Sequence, residues 1–419
     1  MDERMYVCID LKSFYASCEC VERGLDPMKA KLVVADPARG KGAICLAVSP
    51  ALKQLGVKNR CRIYEIRDGI DYIVALPRMK LYMEYSVKIY SVYLKYISKD
   101  DIHVYSIDEV FIDITDYMKI YGMGARELAK MLIDKVLEET GIYATVGIGT
   151  NMFLAKVALD ITAKKVRSRM GYLDKKEFER LIWHHRPITD IWNVGRGIAA
   201  RLEKYGVYDL FGITTMNENT LYREFGVNAE FLIDHAYGRE SCTIKDIKGY
   251  ESKSSSISNG QILFEDYNYD DALLVLREMV DMLSLDLVDK NLLTDSISLT
   301  VGYSKDEIKP AGGTKKLGEY TNSSKKLVNY FTEYYKKTVK RGYPIRKLNI
   351  GFNNLRDDTY LTIDIMGESD EEKKEHELQK TVIAIKKKYG KNAILKGTSL
   401  EEKATGQIRN KLIGGHNGE

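Results

Sequence analysis

The sequence lacks the features of a membrane-spanning or secreted protein. No run of about eighteen or more apolar residues occurs, and the N-terminus does not have the basic-then-apolar pattern of a signal peptide. We therefore expect a cytoplasmic protein without a membrane partner. A single hydrophobic core is excluded as well, because a chain of 419 residues divides into several domains.

Cysteine motifs are also missing. The six cysteines are scattered along the chain without a C-x-x-C pair. This spacing argues against a zinc site and against a disulfide framework, so we interpret the cysteines as reduced, mostly buried thiols. No internal repeat is evident.

A strong excess of one charge is absent too, since the formal net charge is only +4. The distribution of charge is more informative. Residues 265–295 contain nine acidic and two basic residues, whereas residues 315–347 contain ten basic and two acidic residues. A basic face is typical of proteins that bind a phosphate backbone, and the acidic face would point at solvent. Two solvated helix faces are the alternative interpretation.

Three carboxylates stand at the ends of apolar strands. Asp10 ends the strand at residues 5–10, and Asp108 and Glu109 lie in the turn of an apolar hairpin. Adjacent strands can bring such side chains to one point, where their repulsion favours a cation. Two Mg²⁺ ions about 3.5–4 Å apart, which hold the attacking and leaving oxygens of a phosphoryl transfer, would fit there. Alternatively, Asp108 and Glu109 are solvated turn residues.

A short helix is predicted directly after the first strand, with Ser13 as its N-cap and Gly24 as its C′ residue. Other elements follow from alternation, turn residues and helix stop signals. We predict strands at residues 32–35, 42–47 and 144–149, and helices at residues 50–55 and from about Asn151.

Two motifs together resemble the Y-family, or translesion, DNA polymerases, and most closely the bacterial UmuC-like branch. Asp-x-x-x-Phe-Tyr-Ala-Ser-Cys-Glu begins at Asp10, and Tyr-Ser-Ile-Asp-Glu-Val-Phe begins at Tyr105. The resemblance extends to about residue 355. It implies a template-directed DNA polymerase that adds deoxynucleotides to a primer 3′-end by two-metal phosphoryl transfer. No exonuclease carboxylate set is apparent, so we expect no proofreading.

The resemblance also implies the fold, an α+β multidomain right hand. It has a ferredoxin-like palm, small fingers, a helical thumb with a helix-hairpin-helix and a C-terminal α+β little-finger domain. The expected domains are the palm at residues 1–30 and 76–165, the fingers at 31–75, the thumb at 166–245, the little finger at 246–355 and a polar C-terminal tail at 356–419. In the tail we expect loose helices or disorder.

For the metal site, the resemblance implies that Asp10, Asp108 and Glu109 hold two Mg²⁺ ions, with the carbonyl of Leu11 as an extra ligand. For the nucleotide site, it implies that the ring of Tyr15 lies below the sugar and excludes a 2′-hydroxyl. Phe14 fits a core aromatic better and is the second candidate for that role.

The incoming triphosphate is the expected ligand of Lys53 and of Lys164, with Lys165 as a close alternative. Pro50 stands where many family members carry a phosphate-binding tyrosine, so Ser49 is the candidate for a replacement hydroxyl.

Primer–template DNA is the second expected ligand, together with the deoxynucleotide. The segment from Val194 to Leu202 has the form of a helix-hairpin-helix, in which glycines let backbone N–H groups approach a phosphate. The expected DNA contacts are Gly195, Arg196 and Gly197 in the hairpin and Lys336, Lys337, Lys340 and Arg341 in the basic stretch.

A sliding clamp is a further candidate partner. Residues 360–365 lie where relatives often carry a clamp peptide, but they lack its glutamine and its terminal aromatic.

Two other functions stay open. The chain could be a non-catalytic DNA-binding scaffold, although all three carboxylates are present. It could also be another palm-type two-metal nucleotidyl enzyme, such as a nucleotidyl cyclase, but such an enzyme has no use for the hairpin or the basic stretch.

Overall fold

The computed structural model of the protein describes residues 4–166, 168–252, 255–305, 307–358 and 370–418. The chain divides into two compact units, residues 1–250 and residues 251–418. None of the described helices is both long enough and apolar enough to cross a membrane. The segment considered for clamp binding, residues 360–365, lies outside the described residues.

The first unit contains two sheets surrounded by helices. Its strands are β1 (Tyr6–Leu11), β2 (Leu32–Val34), β3 (Ala47–Val48), β4 (Ile73–Ala75), β5 (Ile102–Val104), β6 (Glu109–Asp113), β7 (Ala144–Gly149) and β8 (Met170–Leu173). Its helices are α1 (Phe14–Glu22), α2 (Pro50–Gln54), α3 (Met79–Leu94), α4 (Thr115–Tyr121), α5 (Ala125–Thr140), α6 (Met152–Val157), α7 (Lys175–Leu181), α8 (Arg196–Glu203), α9 (Leu210–Thr214), α10 (Glu218–Phe225), α11 (Asn228–Ala236) and α12 (Ile244–Gly249).

The larger sheet of this unit has the strand order β5-β6-β1-β7-β8. Strand β1 is antiparallel to both of its neighbours, β6 and β7. Successive side chains of a strand point to opposite faces, and both faces of β1 are covered. Val7 and Ile9 belong to a core shared with α1, α3 and α5, whereas Tyr6 and Cys8 pack against α6. Asp10 therefore lies on the α6 face.

Glycines let α6 approach this sheet closely. A Cβ atom added to Gly147 would lie 2.1 Å from the carbonyl oxygen of Ala155, and one added to Gly149 would lie 2.3 Å from the nitrogen of Ala155. Helix α6 continues into a π-helical turn at Ala158–Thr162, and Gly171 of β8 meets that turn in the same way. The backbone of this helix is thus seated directly on β7 and β8.

The smaller sheet has the order β3-β2-β4 and carries α2 beside it. The predicted strand at residues 42–47 is largely wrong, because only an isolated bridge at Ile44 and the two residues of β3 have strand geometry. The predicted helix at 50–55 is confirmed to within one residue. All six cysteines are free, and all except Cys242 are buried, as predicted.

Strand β8 lies in the larger sheet, parallel to β7, although the expected boundary at residue 165 assigned it to the helical module. Strand β8 follows the helix that packs on this sheet, and it therefore pairs with β7, the strand before that helix. The remaining domain boundaries stay predictions.

The second unit is a sheet with helices on one face. Its elements are β9 (Ser256–Tyr267), α13 (Tyr269–Asp289), β10 (Leu292–Tyr303), β11 (Ala311–Thr321), α14 (Ser324–Thr338), β12 (Ile345–Asn353), β13 (Arg356–Asp357), α15 (Asp370–Tyr389), α16 (Gly406–Arg409), β14 (Leu412–Ile413) and β15 (His416–Asn417). The main sheet has the order β11-β10-β12-β9. Apolar residues of α13 and α14 pack against alternate residues of these strands.

The C-terminal segment, residues 370–418, differs from the expectation of loose helices or disorder. Helix α15 packs on α13, and the side chain of Lys396 pairs with Asp281 at 2.6 Å. The buried carboxylate of Glu278 accepts hydrogen bonds from the backbone N–H groups of Thr405 and Gly406 at 2.8 and 3.1 Å. The acidic stretch therefore does not simply face solvent, because it binds the polar C-terminal segment.

The basic stretch is likewise not one face. Lys315 lies over the ring of Tyr330 on the helical side of the sheet, and Arg341 pairs with Asp270 at 3.2 Å. Lys316 and Lys347 are exposed on the opposite side of the sheet, since their neighbours Leu317 and Leu348 belong to the core. The ten basic residues counted in this stretch therefore belong to more than one surface of the second unit.

Candidate active site

Strand pairing brings the three predicted carboxylates together. Asp10 lies directly opposite Glu109 in the register of β1 with β6, so the two side chains share the α6 face. The N–H of Leu11 donates to the carbonyl of Asp108 at 2.9 Å, which fixes the turn, and the Asp108 carboxylate accepts from Ser106 Oγ at 2.7 Å. The register thus places Asp10 beside Glu109, and Asp108 is the residue before Glu109 in the same turn.

Charge is crowded at Asp10. Burial raises the pKa of the Asp10 carboxyl to about 7, Lys164 opposes this rise, and the negative charges of Asp108 and Glu109 add to it. A cation bound among the carboxylates would favour the ionised form of Asp10. A positive charge bound at this site would therefore be stabilised by the surrounding carboxylates.

Glu109 already has a cationic partner that the sequence analysis missed. The ammonium group of Lys156, on α6, lies 2.8 Å from Oε1 and 3.0 Å from Oε2 of Glu109, and the thiol of Cys8 donates to Oε1 at 3.1 Å. Burial lowers the pKa of Lys156, but the hydrogen bond and charge of Glu109 outweigh burial and raise it above its ordinary value. Lys156 is therefore a charged, buried lysine.

The signal for Lys156 was present in the sequence. Lys156, Asp160 and Lys164 follow one another at four-residue spacing, which places alternating charges on one face of a helix. That helix begins directly after a buried strand and close to Asn151, as predicted, and its N-cap Asn151 accepts from Leu154 N–H at 2.8 Å. A buried position for these charges could not be inferred from the spacing alone.

The carboxylates fit magnesium by their donor chemistry. Hard carboxylate and carbonyl oxygens are the ligands that Mg²⁺ prefers, and its remaining positions are usually filled by water and phosphate. Across the part of the chain that the structure describes, no three acidic, histidine or cysteine side chains are gathered closely enough to enclose an ion. Glu109 is instead bound by Lys156, so a metal ion would share the oxygens of Glu109 with this lysine.

Basic side chains converge beside the carboxylates. Lys53 Nζ donates to Ser13 Oγ at 2.9 Å, and Lys164 pairs with Asp160 at 2.8 Å. Burial lowers the pKa of Lys53, Asp10 raises it, and the charges of Lys12 and Lys164 lower it again. These lysines are therefore near enough to repel one another, which favours an anion between them.

Lys12 is a second residue that the sequence analysis missed. Burial and then the charge of Arg169 lower the pKa of Lys12, whereas Asp10 raises it. Its place two residues after Asp10 was the available signal. Ser13 differs from its predicted role, because it adopts a left-handed conformation at the start of α1 and makes no capping hydrogen bond through its side chain. Its hydroxyl accepts from Lys53 instead.

Tyr15 lies close enough to Asp108 to be affected by its charge. Burial and then the charge of Asp108 raise the pKa of Tyr15, and its ring stacks on Tyr82 with 4.5 Å between ring centroids. Tyr82 donates to the fully buried Glu19 at 2.8 Å, and Arg78 binds the same carboxylate through two hydrogen bonds of 3.0 and 2.7 Å. A buried ionic network thus supports the aromatic stack.

Two predicted nucleotide contacts are not brought to this site. Phe14 is buried in the main core of the first unit, as its position on the apolar face of α1 requires. Ser49 is fully buried, and its hydroxyl accepts from the N–H of Leu32 at 3.1 Å. The hydroxyl of Ser49 therefore binds the backbone of β2 in the smaller sheet and does not face the carboxylates.

The segment predicted to form a helix-hairpin-helix, residues 194–202, contains most of α8, and a 3₁₀ turn at Ile188–Asp190 precedes it. Gly195 and Arg196 are exposed at the start of α8, and a Cβ atom at either Gly195 or Gly197 would meet only open space. The N-terminal N–H groups of α8 are thus accessible to an anion.

Comparison with known proteins identifies similar sequences along the whole chain. The profile of the impB/mucB/samB family matches residues 9–160, and that of the impB/mucB/samB family C-terminal domain matches residues 254–365. The chain is 30% identical over 417 residues to a Bacillus subtilis (strain 168) protein described as the UV-damage repair protein UvrX, covering 98% of this chain and 97% of the relative.

Other similar proteins agree. The chain is 29% identical over 420 residues to DNA polymerase IV 2 of Halalkalibacterium halodurans, covering 99% of this chain and 100% of the relative. A solved Y-family DNA polymerase chimera, Dbh-Dpo4(243-245)-Dbh, superimposes with a TM-score of 0.65 at 21% identity, covering 84% of this chain and 99% of that chain. This superposition confirms the right-hand fold with a little finger.

The network at Glu19 predicts a pH-dependent loss of stability. Burial raises the pKa of Glu19, but its hydrogen bonds with Arg78, Arg23 and Tyr82 outweigh burial and lower it. The resulting stabilisation is present above the ordinary glutamate pKa and is lost as pH falls through the lowered value. At pH 7, Glu19→Gln should reduce the free energy of unfolding by about 1.5–3 kcal/mol, and the difference should shrink in acid.

Urea unfolding followed by tryptophan fluorescence measures this effect in the first unit, because both tryptophans, Trp183 and Trp192, lie there. Glu22→Gln is the matched control, since Glu22 is on the same helix but exposed. A Glu19→Gln deficit of the same size at pH 7 and in acid would contradict the ionic account.

Proposed function

The chain belongs to the impB/mucB/samB family and is a Y-family DNA polymerase of the translesion type, and we propose that it extends a primer by two-metal phosphoryl transfer without proofreading. The observation that carries this proposal is the register pair of Asp10 and Glu109 with Asp108 beside it, because it supplies three carboxylates at one strand end. UvrX is described as a UV-damage repair protein, which supports synthesis across damaged template bases.

In this proposal Asp10, Asp108 and Glu109 hold two Mg²⁺ ions, with the Leu11 carbonyl as an extra ligand. When bound, the ions would lower the pKa of the primer 3′-hydroxyl and neutralise negative charge on the triphosphate. The protein contributes positioning and charge stabilisation, which dominate phosphoryl transfer. Lys156 keeps the Glu109 carboxylate in place, since it bonds to both of its oxygens.

Lys53 and Lys164 are the proposed triphosphate contacts, and Lys12 joins them. Besides burial, the charges of Lys12 and Lys164 lower the pKa of Lys53, so a polyanion would relieve this repulsion. Ser49 is omitted from this set because its hydroxyl is buried and already accepts a hydrogen bond from the N–H of Leu32. Lys165 remains the alternative to Lys164 from the sequence.

Tyr15 is the proposed barrier to ribonucleotides. Its ring is near Asp108 and is backed by Tyr82, which is anchored on Glu19. A ring held by stacking cannot move aside easily when a 2′-hydroxyl approaches it. Phe14 is part of the core and does not compete for this role.

For DNA, we propose contacts at two places, considered separately. In the first unit, Gly195, Arg196 and Gly197 present the accessible start of α8 to a backbone phosphate. In the second unit, the face of the sheet opposite the helices consists mainly of small polar residues. Across it, Thr300 lies opposite Gly312 and Asn349.

Small side chains on this open sheet face allow a phosphate backbone to approach closely, and Lys316 and Lys347 add positive charge there. The residues expected from sequence, Lys336, Lys337, Lys340 and Arg341, lie at the end of α14 and in the turn after it. Arg341 lies 3.2 Å from Asp270 and Lys336 lies 3.3 Å from Glu333, whereas the distance from Lys316 to Asp295 is 3.9 Å. The open sheet face is therefore our proposed DNA contact in this unit.

The metal site predicts the effect of Asp108→Ala. Loss of a proposed metal ligand should cost about 4 kcal/mol of transition-state stabilisation, or roughly a thousandfold in the rate of primer extension. DNA affinity should change little. Asp116→Ala, at an exposed aspartate of α4, is the control. Primer extension close to the wild-type rate by Asp108→Ala would refute the assignment.

The aromatic barrier predicts a change in sugar selection. Tyr15→Ala should raise ribonucleotide incorporation relative to deoxynucleotide incorporation, because the clash with the 2′-hydroxyl is removed. Tyr15→Phe should stay close to wild type, since the ring does the excluding. Single-nucleotide insertion kinetics with both sugars measure the ratio. If Tyr15→Ala discriminates as well as the wild type does, the barrier lies elsewhere.

The DNA proposal is tested by two matched double variants. Lys316→Gln/Lys347→Gln should weaken DNA binding and reduce the slope of log affinity against log salt by roughly 0.9 for each lost phosphate contact. Lys336→Gln/Lys337→Gln removes the same charge from α14 and should change the slope less. Fluorescence anisotropy across a salt titration gives both slopes. The reverse order would favour the helical residues named from the sequence.

A further inference from the structure

A continuous chain of ion pairs links the metal-site carboxylate to the proposed triphosphate lysine. Lys156 lies 2.8 Å from Glu109 Oε1 and 3.0 Å from Asp160 Oδ2. The other oxygen of Asp160, Oδ1, lies 2.8 Å from Lys164 Nζ. One carboxylate thus holds two ammonium groups, each by a different oxygen.

Asp160 is placed for this by the local backbone. It lies four residues after Lys156 and four residues before Lys164, in the middle of the π-helical turn that follows α6. Such turns insert an extra residue into a helix and often occur at functional sites. Because Gly147 and Gly171 let this helix and turn sit directly on β7 and β8, its side chains have a fixed position relative to Glu109.

Charge explains why Asp160 is needed there. Burial, and to a smaller extent the charge of Lys156, lower the pKa of Lys164, whereas the charge and hydrogen bond of Asp160 raise it above its ordinary value. The Lys156 side chain is only 9% exposed, and that of Lys164 is 48% exposed. Without Asp160, the exposed Lys164 is the lysine that is free to move away.

We propose that Asp160 is a positioning residue that holds Lys164 at the triphosphate site. This inference rests on the proposed role of Lys164. Asp160 is not assigned as a metal ligand, because it belongs to the π-helical turn after α6 and not to the strand-end set of Asp10, Asp108 and Glu109. Its role is to keep the nucleotide contact in a fixed position.

The test is a double-mutant cycle with Asp160→Asn, Lys164→Met and the combined variant. Asp160→Asn should raise KM for the incoming deoxynucleotide by about tenfold and lower kcat less, as expected for loss of a supporting contact. The same loss should appear in equilibrium nucleotide binding to a complex with a dideoxy-terminated primer, where no chemistry occurs. The combined variant should bind nucleotide no more weakly than Lys164→Met alone, because both changes remove one contact.

The control is Asp134→Asn, which removes a partly exposed aspartate that pairs with Lys130 at the same four-residue spacing. Tryptophan fluorescence in urea checks that each variant is folded. If Asp160→Asn does not fold, Asp160→Glu enters the same cycle. It retains the charge on a longer side chain, so its smaller loss of nucleotide affinity should also vanish in the Lys164→Met background.

The outcomes separate this inference from the function on which it rests. Unchanged nucleotide affinity in Lys164→Met would show that Lys164 does not contact the triphosphate. If Lys164→Met weakens nucleotide binding, the proposed contact of Lys164 stands. If the effect of the Asp160 variant then adds fully to that of Lys164→Met, the positioning role of Asp160 is overturned.

Discussion

The pairing of β1 with β6 is the constraint on which the candidate site depends. Its register sets Asp10 opposite Glu109 and directs both toward α6. A slip of one residue would move every side chain of β1 to the other face, so that Asp10 would point into the apolar core. The buried residues on both faces of β1 exclude such a slip, because Val7 and Ile9 belong to one core and Cys8 to another.

Once the carboxylates are fixed, the remaining problem is charge. Burial and mutual repulsion disfavour three ionised acids at one strand end, and the pKa of Asp10 near 7 records this. Lys156 offsets the charge of Glu109 from within the protein. Lys53 and Lys164 stand nearby and repel each other, so carboxylates and lysines both favour a ligand that carries metal ions and phosphate together. A magnesium–triphosphate complex is such a ligand.

Local patterns were sufficient to predict several of the elements that carry the candidate site. Strand β7, the start of α6 at Asn151 and the carboxylates at both motifs follow from alternation, capping and strand ends. Lys156 and Asp160 were not recognised, because ion pairs at four-residue spacing usually lie on a solvated face. Here the glycines of β7 bring that face against the sheet, and this tertiary contact has no local signal.

In the second unit, the counts of acidic and basic residues did not predict which charged residues share a surface, again because tertiary contacts decide this. The acidic residues of α13 bind groups far along the chain, such as Lys396 and the N–H of Thr405, and counts within a window cannot reveal such partners. The basic residues alternate between the two faces of a sheet and the end of a helix. The right-hand fold itself was correctly predicted, because the resemblance covers both parts of the chain.

The central claim is that Asp10, Asp108 and Glu109 together bind two divalent ions when the substrates are present. Anomalous diffraction from a crystal of the protein with primer–template DNA, Mn²⁺ and a non-hydrolysable deoxynucleotide tests it most directly. The account predicts two manganese peaks about 3.5–4 Å apart, bounded by these three carboxylates. A well-ordered complex with no peak there, or with manganese bound only elsewhere, would contradict it.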